Sequence, residues 1–401
     1  MPEPDGRGAT LLEDLPEEII DNILVRLPSK DVGRCRVVNA SWRNATSTPE
    51  FMLRHHRRQP SLPIIDGRGM AAHHILLGRI ALGAGALWPF LPGAKHRDEI
   101  RLRGACDGLL AVSRGSRSYL CNPVIRKQAL LPQPEDMIGT GQDIESKIIG
   151  FYQHHPTGEL RVLWISKHLH AYNLYILTVG CDRPRHVELR TASSSTMEDK
   201  PLNVLFRSGH FPIVDHGNLH WHPDVTGIQG QLIVFDTEAE SFRWMRFPTQ
   251  LCYNLKLFSM KGSLAVSGSS CCTYTVVDVW VMQDYQAEVW AFKYHIDLSV
   301  VESSRQLCLT SFENEKERKP PLDSMVKWIN DMDVLNECEL LIMCSRKQVL
   351  RCGVDGKFLG MVNIGESNGM ELTQLRIEES IVPLLYHAMQ GEEEPFSSEH
   401  V

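Results

Sequence analysis

In His220-Trp221-His222 two imidazoles are separated by one residue, so a strand here would set them on one face, with His210 and His216 close by in sequence. Three or four such nitrogens could hold zinc, which takes four nitrogen or sulfur ligands in a tetrahedron. No carboxylate or thiol pair completes a spacing that tight turns would bring together, and no metal is expected. Gly83-Ala84-Gly85 begins like a phosphate-cradling loop, but the third glycine would fall on Trp88. Without it the backbone does not close around a pyrophosphate. There is no Gly-x-Ser-x-Gly elbow, no His-Glu-x-x-His and no P-loop, so neither nucleophilic nor metal-assisted hydrolysis has a starting point.

Trp164, Trp221, Trp244, Trp280 and Trp290 offer faces for a ligand such as a stacked sugar. At strand spacing they read first as core or packing residues. Eleven cysteines are scattered without a CxxC pair, and the one adjacent pair, Cys271-Cys272, sits in an apolar strand-like run. That usage fits reduced, buried thiols and fails the zinc templates built on paired ligands. The basic cluster Arg54-His55-His56-Arg57-Arg58 reads as a solvated helix end or linker, the sharper reading being contact with an acidic partner or a weak nuclear signal.

The elements that would position these side chains fall into two kinds. With 401 residues, 43% hydrophobic and 23% charged, the chain can bury a large core and shows no sign of global disorder. A net charge of -7 argues against a general nucleic-acid binder, which needs a cationic surplus to neutralise phosphates. The N-terminus lacks the basic-then-apolar succession of a secretory signal. The uncharged stretch Ile80 to Ala94 is too short to span a bilayer and contains Pro89 and Pro92. No membrane association is expected, and the sequons at Asn39 and Asn44 are chance matches.

Residues 1–10 are rich in Pro, Gly and Asp and are expected to be flexible. From there to about His55 the pattern is helical, with Ile20, Ile23, Leu24 and Leu27 at i, i+3, i+4 and i+7. Pro16 suits a first turn, and Glu17 and Glu18 favour the positive end of the helix dipole. Pro28 stops that helix, Ser29 is placed to cap a second running through Arg36 and Val37, and a third short helix follows around Trp42.

Beyond the linking SLPIIDGRG, short runs such as LRVLWIS, YNLYILTVG, QLIVFDTE, SFRWMRFP, TYTVVDVWVM and EVWAFKYHI recur between Gly, Pro, Asn and Asp. Close spacing suits antiparallel hairpins in a propeller, sandwich or barrel, and no strict repeat of fixed period is visible. Residues from about 305 to 335, with the ENEKERKPP run, read as a long loop, and GEEEPFSSEHV as a disordered acidic tail.

The helical module carries Ile19, Ile20, Ile23, Leu24, Leu27, Val32, Val37, Val38, Trp42 and Phe51, more apolar surface than a unit of this size shelters by itself. Either a partner covers part of it or the β domain does, and the pattern alone does not decide between them.

The frame LPEEIIDNILVRLPSKDVGRCRVVNASWRNATSTPEF resembles the F-box. The resemblance rests on Leu15-Pro16, Ile23-Leu24, Leu27-Pro28, Val32, the run Arg34-Cys35-Arg36-Val37-Val38, Ser41-Trp42-Arg43, Pro49 and Phe51. It implies docking onto a Skp-type adaptor, which joins the module to cullin and RING subunits in an SCF ubiquitin ligase. Leu15, Pro16, Ile19, Ile23, Leu24, Leu27, Pro28, Val32 and Val38 would contribute to or support the adaptor surface, and Trp42 would anchor the third helix. Asn39-Ala40 stands where many members have Cys-Lys.

The β region is similar to the plant F-box-associated domain in GACDGLLAV, Asn122-Pro123, Leu131-Pro132, IIGFYQ, GNLHWHPD, LIVFDTEAESFRWMRFP, KGSLAVSG and VVDVWVMQDY, in matching order over most of residues 104 to 300. The resemblance implies a propeller-like domain that binds the protein to be ubiquitinated, its surface naming no particular target. The expected architecture is therefore α+β and multidomain, a small three-helix F-box followed by a large all-β, propeller-like domain. The expected boundaries are a disordered 1–10, an F-box at 11–55, a linker with first strands at 56–100, the β domain at 101–390 and an acidic tail at 391–401. The implied function is that of a non-catalytic substrate receptor without cofactor, in the cytoplasm and/or nucleus. The alternative is a small-molecule or glycan sensor resting on the tryptophans, with an enzyme acting through bound metal at the His210 to His222 region as a third reading.

Overall fold

The computed structural model describes residues 15–66, 72–75, 87–91, 100–134, 145–168, 171–188, 200–207, 210–222, 231–248, 251, 253–269, 276–310, 331–336, 338–345, 348–363, 371–384 and 394–395. Residues 1–10, the third-glycine position Trp88 apart, the Gly83-Ala84-Gly85 loop, Cys271-Cys272, residues 311–330 of the expected long loop and the remainder of the acidic tail lie outside this description or have no described side chain.

Four helices come first: α1 (Glu17–Leu24), α2 (Ser29–Val38), α3 (Ala40–Thr46) and α4 (Pro49–His56). The sequence reading had three. The fourth is separate because the Thr48 hydroxyl accepts the Phe51 N–H and Pro49 occupies the first helical turn, which together start a new helix.

Among the described residues six antiparallel sheets follow as the blades of a propeller. Blade I contains β1 (Ser61–Asp66), β2 (Ala72–Ile75) and β3 (Leu87–Leu91). Blade II contains β4 (Ile100–Cys106), β5 (Leu109–Arg114), β6 (Arg117–Asn122) and β7 (Lys127–Leu130). Blade III contains β8 (Glu145–Gln153), β9 (Leu160–His168), β10 (Ala171–Thr178) and β11 (Arg185–Val187), and α5 (Lys200–Arg207) leads out of it. Blade IV contains β12 (Ile213–Asp215), β13 (Asn218–Trp221), β14 (Gln231–Asp236) and β15 (Ser241–Arg246). Blade V contains β16 (Tyr253–Met260), β17 (Ser263–Ser269), β18 (Val276–Asp284) and β19 (Val289–Asp297), followed by α6 (Leu298–Thr310). Blade VI contains β20 (Asp331–Asn336), β21 (Glu339–Ser345), β22 (Gln348–Gly353) and β23 (Phe358–Asn363). Then β24 (Glu371–Glu378) returns to pair with β1, and the two-residue β25 (Glu394–Pro395) adds to the outer edge of β7.

Both faces of each blade are covered, which is why central strands such as β9 and β14 are nearly continuous buried runs rather than alternating ones. Six apolar clusters fill the gaps between successive blades, and one of them joins Ile65 and Leu372 of blade I to Leu335, Leu341, Met343 and Val349 of blade VI. The ring is thus closed by packing as well as by the β1–β24 ladder.

Local turn chemistry sets the hairpins. Between β4 and β5, Asp107 and Gly108 both have positive φ, 50° and 75°, the two-residue turn whose twist matches paired strands. His216-Gly217 and Lys261-Gly262 repeat it in blades IV and V. Outer turns begin with Asn122, Asp236 or Asp284, whose side-chain oxygens accept the backbone N–H groups of the turn.

Candidate functional site

α1 carries two apolar faces. Leu24 is buried against Val25, Val32, Phe51 and Met52, whereas Ile19 and Ile23, one turn apart, are 48% and 42% exposed. At the end of α2, Val37 and Val38 are 76% and 74% exposed. These four are large aliphatic side chains exposed to water on α1 and α2. Pro16 and Pro28 are exposed as well, and Leu15 and Leu27 are half-buried. Of the nine residues singled out from the sequence, Leu24 and Val32 lie inside the module and hold the helices together without facing outward. Val37, outside that set, is the most exposed of the aliphatic residues named here.

The helices are fixed by polar contacts that the sequence shows only in part. Asn39 Oδ1 accepts the N–H groups of Ser41 at 2.8 Å and Trp42 at 3.1 Å and so caps α3. Arg54 pairs with Asp21, tying α4 to α1. Ser29 does not cap α2 as expected: its hydroxyl makes no hydrogen bond, and its N–H donates instead to the Glu379 carboxylate at 3.3 Å. A carboxylate at that end suits the helix dipole, and it arrives from the far end of the chain.

The basic cluster is also corrected. Arg57 and Arg58 are exposed, but His55 and His56 point inward and are buried. His55 Nε2 donates to the Leu27 carbonyl at 2.8 Å, and burial lowers its pKa. His56 donates through Nε2 to Asp107 Oδ1 at 2.9 Å and through Nδ1 to the Glu379 carbonyl at 3.1 Å. These contacts join the module to the β4–β5 turn and to the segment after β24. Sequence reasoning missed His56, Asp107 and Glu379 as a group because nothing local links them.

The other sequence candidates are engaged structurally. His220 Nε2 accepts from the Tyr285 hydroxyl at 2.8 Å and Nδ1 donates to the Ile213 carbonyl at 3.1 Å, His216 stacks on Tyr285 at 4.4 Å, and His222 packs edge-on to Phe247. Among the described residues no group of three or more His, Cys, Asp or Glu is arranged to hold a metal. Trp164 and Trp221 are fully buried between blades, Trp244, Trp280 and Trp290 pack against the neighbouring cores, and Trp290 Nε1 donates to the Arg246 carbonyl. None of the described helices is long and apolar enough to cross a membrane.

Comparison with known proteins matches residues 12–54 to the F-box domain and residues 95–317, more than half of the chain, to the F-box associated beta propeller domain. Similar proteins from Arabidopsis thaliana include F-box protein At5g18160, 23% identical over 73% of this chain and 73% of that one. F-box protein At3g07870 is 27% identical over 71% of this chain and 73% of its own length. Among solved structures, YCF48 from Cyanidioschyzon merolae is 9% identical with a TM-score of 0.38, covering 77% of this chain and 88% of that one. With a helical module and a ring of blades in the matching order, the chain belongs to the plant F-box proteins that carry an F-box associated β-propeller domain.

Proposed function

We propose that this chain is a non-catalytic substrate receptor of an SCF-type E3 ubiquitin ligase: the F-box binds a Skp-type adaptor, through it the cullin and RING subunits, and the propeller holds a protein target. One observation carries the reading. The F-box keeps Ile19, Ile23, Val37 and Val38 in water although Leu24, Val25, Val32, Phe51 and Met52 beneath them are buried. A patch with a few aliphatic anchors suits an interface of about 800 Å² per partner. The propeller supplies a rigid, broad surface on the same chain, so capture of a target turns its encounter with the ligase into an effectively intramolecular event. The thiols of Cys106 and Cys352 are pushed up to about 12 by burial and are inert, whereas Cys181 and Cys338 are exposed, against the expectation of buried thiols; thiols rather than disulfides at these positions suit a reducing cytoplasm or nucleus, the compartment we assign.

The test is co-purification of a Skp-type adaptor with the full chain. Ile23→Asp, and separately Leu15→Asp, should weaken capture by about 100-fold, as loss of an interface anchor does. The melting temperature of Ile23→Asp should stay close to wild type, because that side chain is already solvated. Wild-type protein that never retains an adaptor would sink the reading.

A further inference from the structure

The F-box core is not made by the F-box alone. Ile381 and Val382, just beyond the closing strand β24, are buried in one cluster with Leu24, Val25, Val32, Phe51 and Met52. Residues 379–384 form a strap under the helices, and polar groups fix it on both sides. On the F-box side, the Glu379 carboxylate accepts the Ser29 N–H at the start of α2, and the Glu379 carbonyl accepts from His56. On the propeller side, the buried Asn122 side chain donates to the carbonyls of Ser380 at 3.0 Å and Val382 at 2.9 Å. Gly108 lies so close that a Cβ there would stand 2.4 Å from Ser380 Cβ and 3.0 Å from the His56 ring. Only glycine fits this turn, for space as well as for its φ.

The connectivity gives this contact a direction. α4 leads into β1, β1 pairs with β24, and β24 leads into the strap that returns beneath α1 and α2. If β24 leaves the sheet, the strap goes with it, and Leu24, Val25, Phe51 and Met52 lose the side chains that cover them.

We propose that ring closure of the propeller and seating of the F-box are one coupled event, with residues 379–384 as the strap that makes the adaptor-binding helices depend on a closed ring. A chain whose β24 has left β1 then presents loosened α1 and α2 helices and is not recruited. The recruitment clause rests on the adaptor reading above, whereas the coupling itself does not.

The test is hydrogen–deuterium exchange on the full chain, comparing wild type with Val382→Asp and Asn122→Ala. Ile381→Ala serves as a milder variant should the first two not fold. Amides of α1 and α2 should exchange at least about tenfold faster while those of blades IV and V keep their wild-type rates, as expected when one sub-global unit opens. Helices that stay protected in all variants would overturn the proposal, and so would equal acceleration in blades IV and V. Adaptor affinity, measured in parallel with a purified Skp-type adaptor, should fall by a similar factor in the variants. If wild type binds no adaptor the functional reading fails, and the exchange rates still decide the strap.

Discussion

His56 donates both ring N–H groups to oxygens that only accept, a carboxylate and a carbonyl, which requires the imidazolium form. Burial pulls its pKa down, but the bonds to Asp107 and Glu379 and the charges of Asp107 and Glu378 outweigh that, and the net shift is upward. On the helical side, His55 is the neighbouring imidazole, and the two interact electrostatically. A raised folded value means that the stabilisation is whole below the unfolded pKa of about 6.5 and fades as pH rises through the folded value. Protection of α2 and α4 amides, corrected for intrinsic exchange, should therefore decline from pH 6 to 8 in wild type, and this dependence should flatten in His56→Gln. His220 behaves oppositely. Burial, with Arg243 nearby, pushes it down to about 4, so its contribution is whole above the unfolded value and is lost as pH falls from about 6.5 towards 4, amounting to about 3 kcal/mol. Its partner Tyr285 also accepts from Asn218 and Arg243. Tyr285→Phe strips all three groups of one oxygen and should destabilise the propeller by about 2 to 3 kcal/mol in urea unfolding.

At the scale of single elements, α3 depends on one local cap, and Asn39→Ala should lower stability by about 1 kcal/mol, read from the unfolding of the F-box helices. Short-range features of this kind were legible in the sequence: the stripe of α1, the stop at Pro28, the strand runs and the Asx-initiated outer turns. The inner turns carry a signal that the sequence reading did not use. Asp107-Gly108-Leu109-Leu110, His216-Gly217-Asn218-Leu219 and Lys261-Gly262-Ser263-Leu264 share one x-Gly-x-Leu signal, hidden as a repeat because their intervals are unequal. What did not show was set at long range. Ser29 has the right side chain to cap α2, yet Glu379 takes the place from 350 residues away. Apolar spacing gives the apolar residues of α1 and α2 without saying which of them meet water, and so Leu24 and Val32 were grouped with Ile19 and Ile23 although the first pair is buried in a cluster that includes the strap residues Ile381 and Val382.

Over the whole molecule, blades are tied to one another by recurrent contacts. The left-handed turn residue Glu240 of blade IV reaches back to Arg161 and Arg185 of blade III, and Glu288 of blade V reaches back to Arg243 of blade IV. The closing seam uses a more buried version. Arg376 of β24 donates to the Asp333 carboxylate at 3.1 Å and the Val334 carbonyl at 2.7 Å in blade VI, and to the Ser61 carbonyl at 2.7 Å in β1. One guanidinium thereby stitches together three strands that come from both ends of the domain. Asp333 is buried, and its pKa is pushed up to about 6 by that burial although Arg376 and the Val334 N–H pull it down. Its folded value lies above the unfolded one, so its contribution is most favourable in acid and is lost as pH rises through about 6. Arg376→Met removes the counter-charge, drives that value higher and leaves an unpaired buried carboxylate at neutral pH, a loss of about 3 to 5 kcal/mol. At pH 5 the carboxyl is already protonated in the variant, so the gap from wild type, measured by urea midpoints, should shrink by at least about 1 kcal/mol. The His220 contribution is common to both chains and cancels in that difference, so an equal gap at pH 7 and pH 5 would show that the Arg376–Asp333 charge pair does not hold the seam.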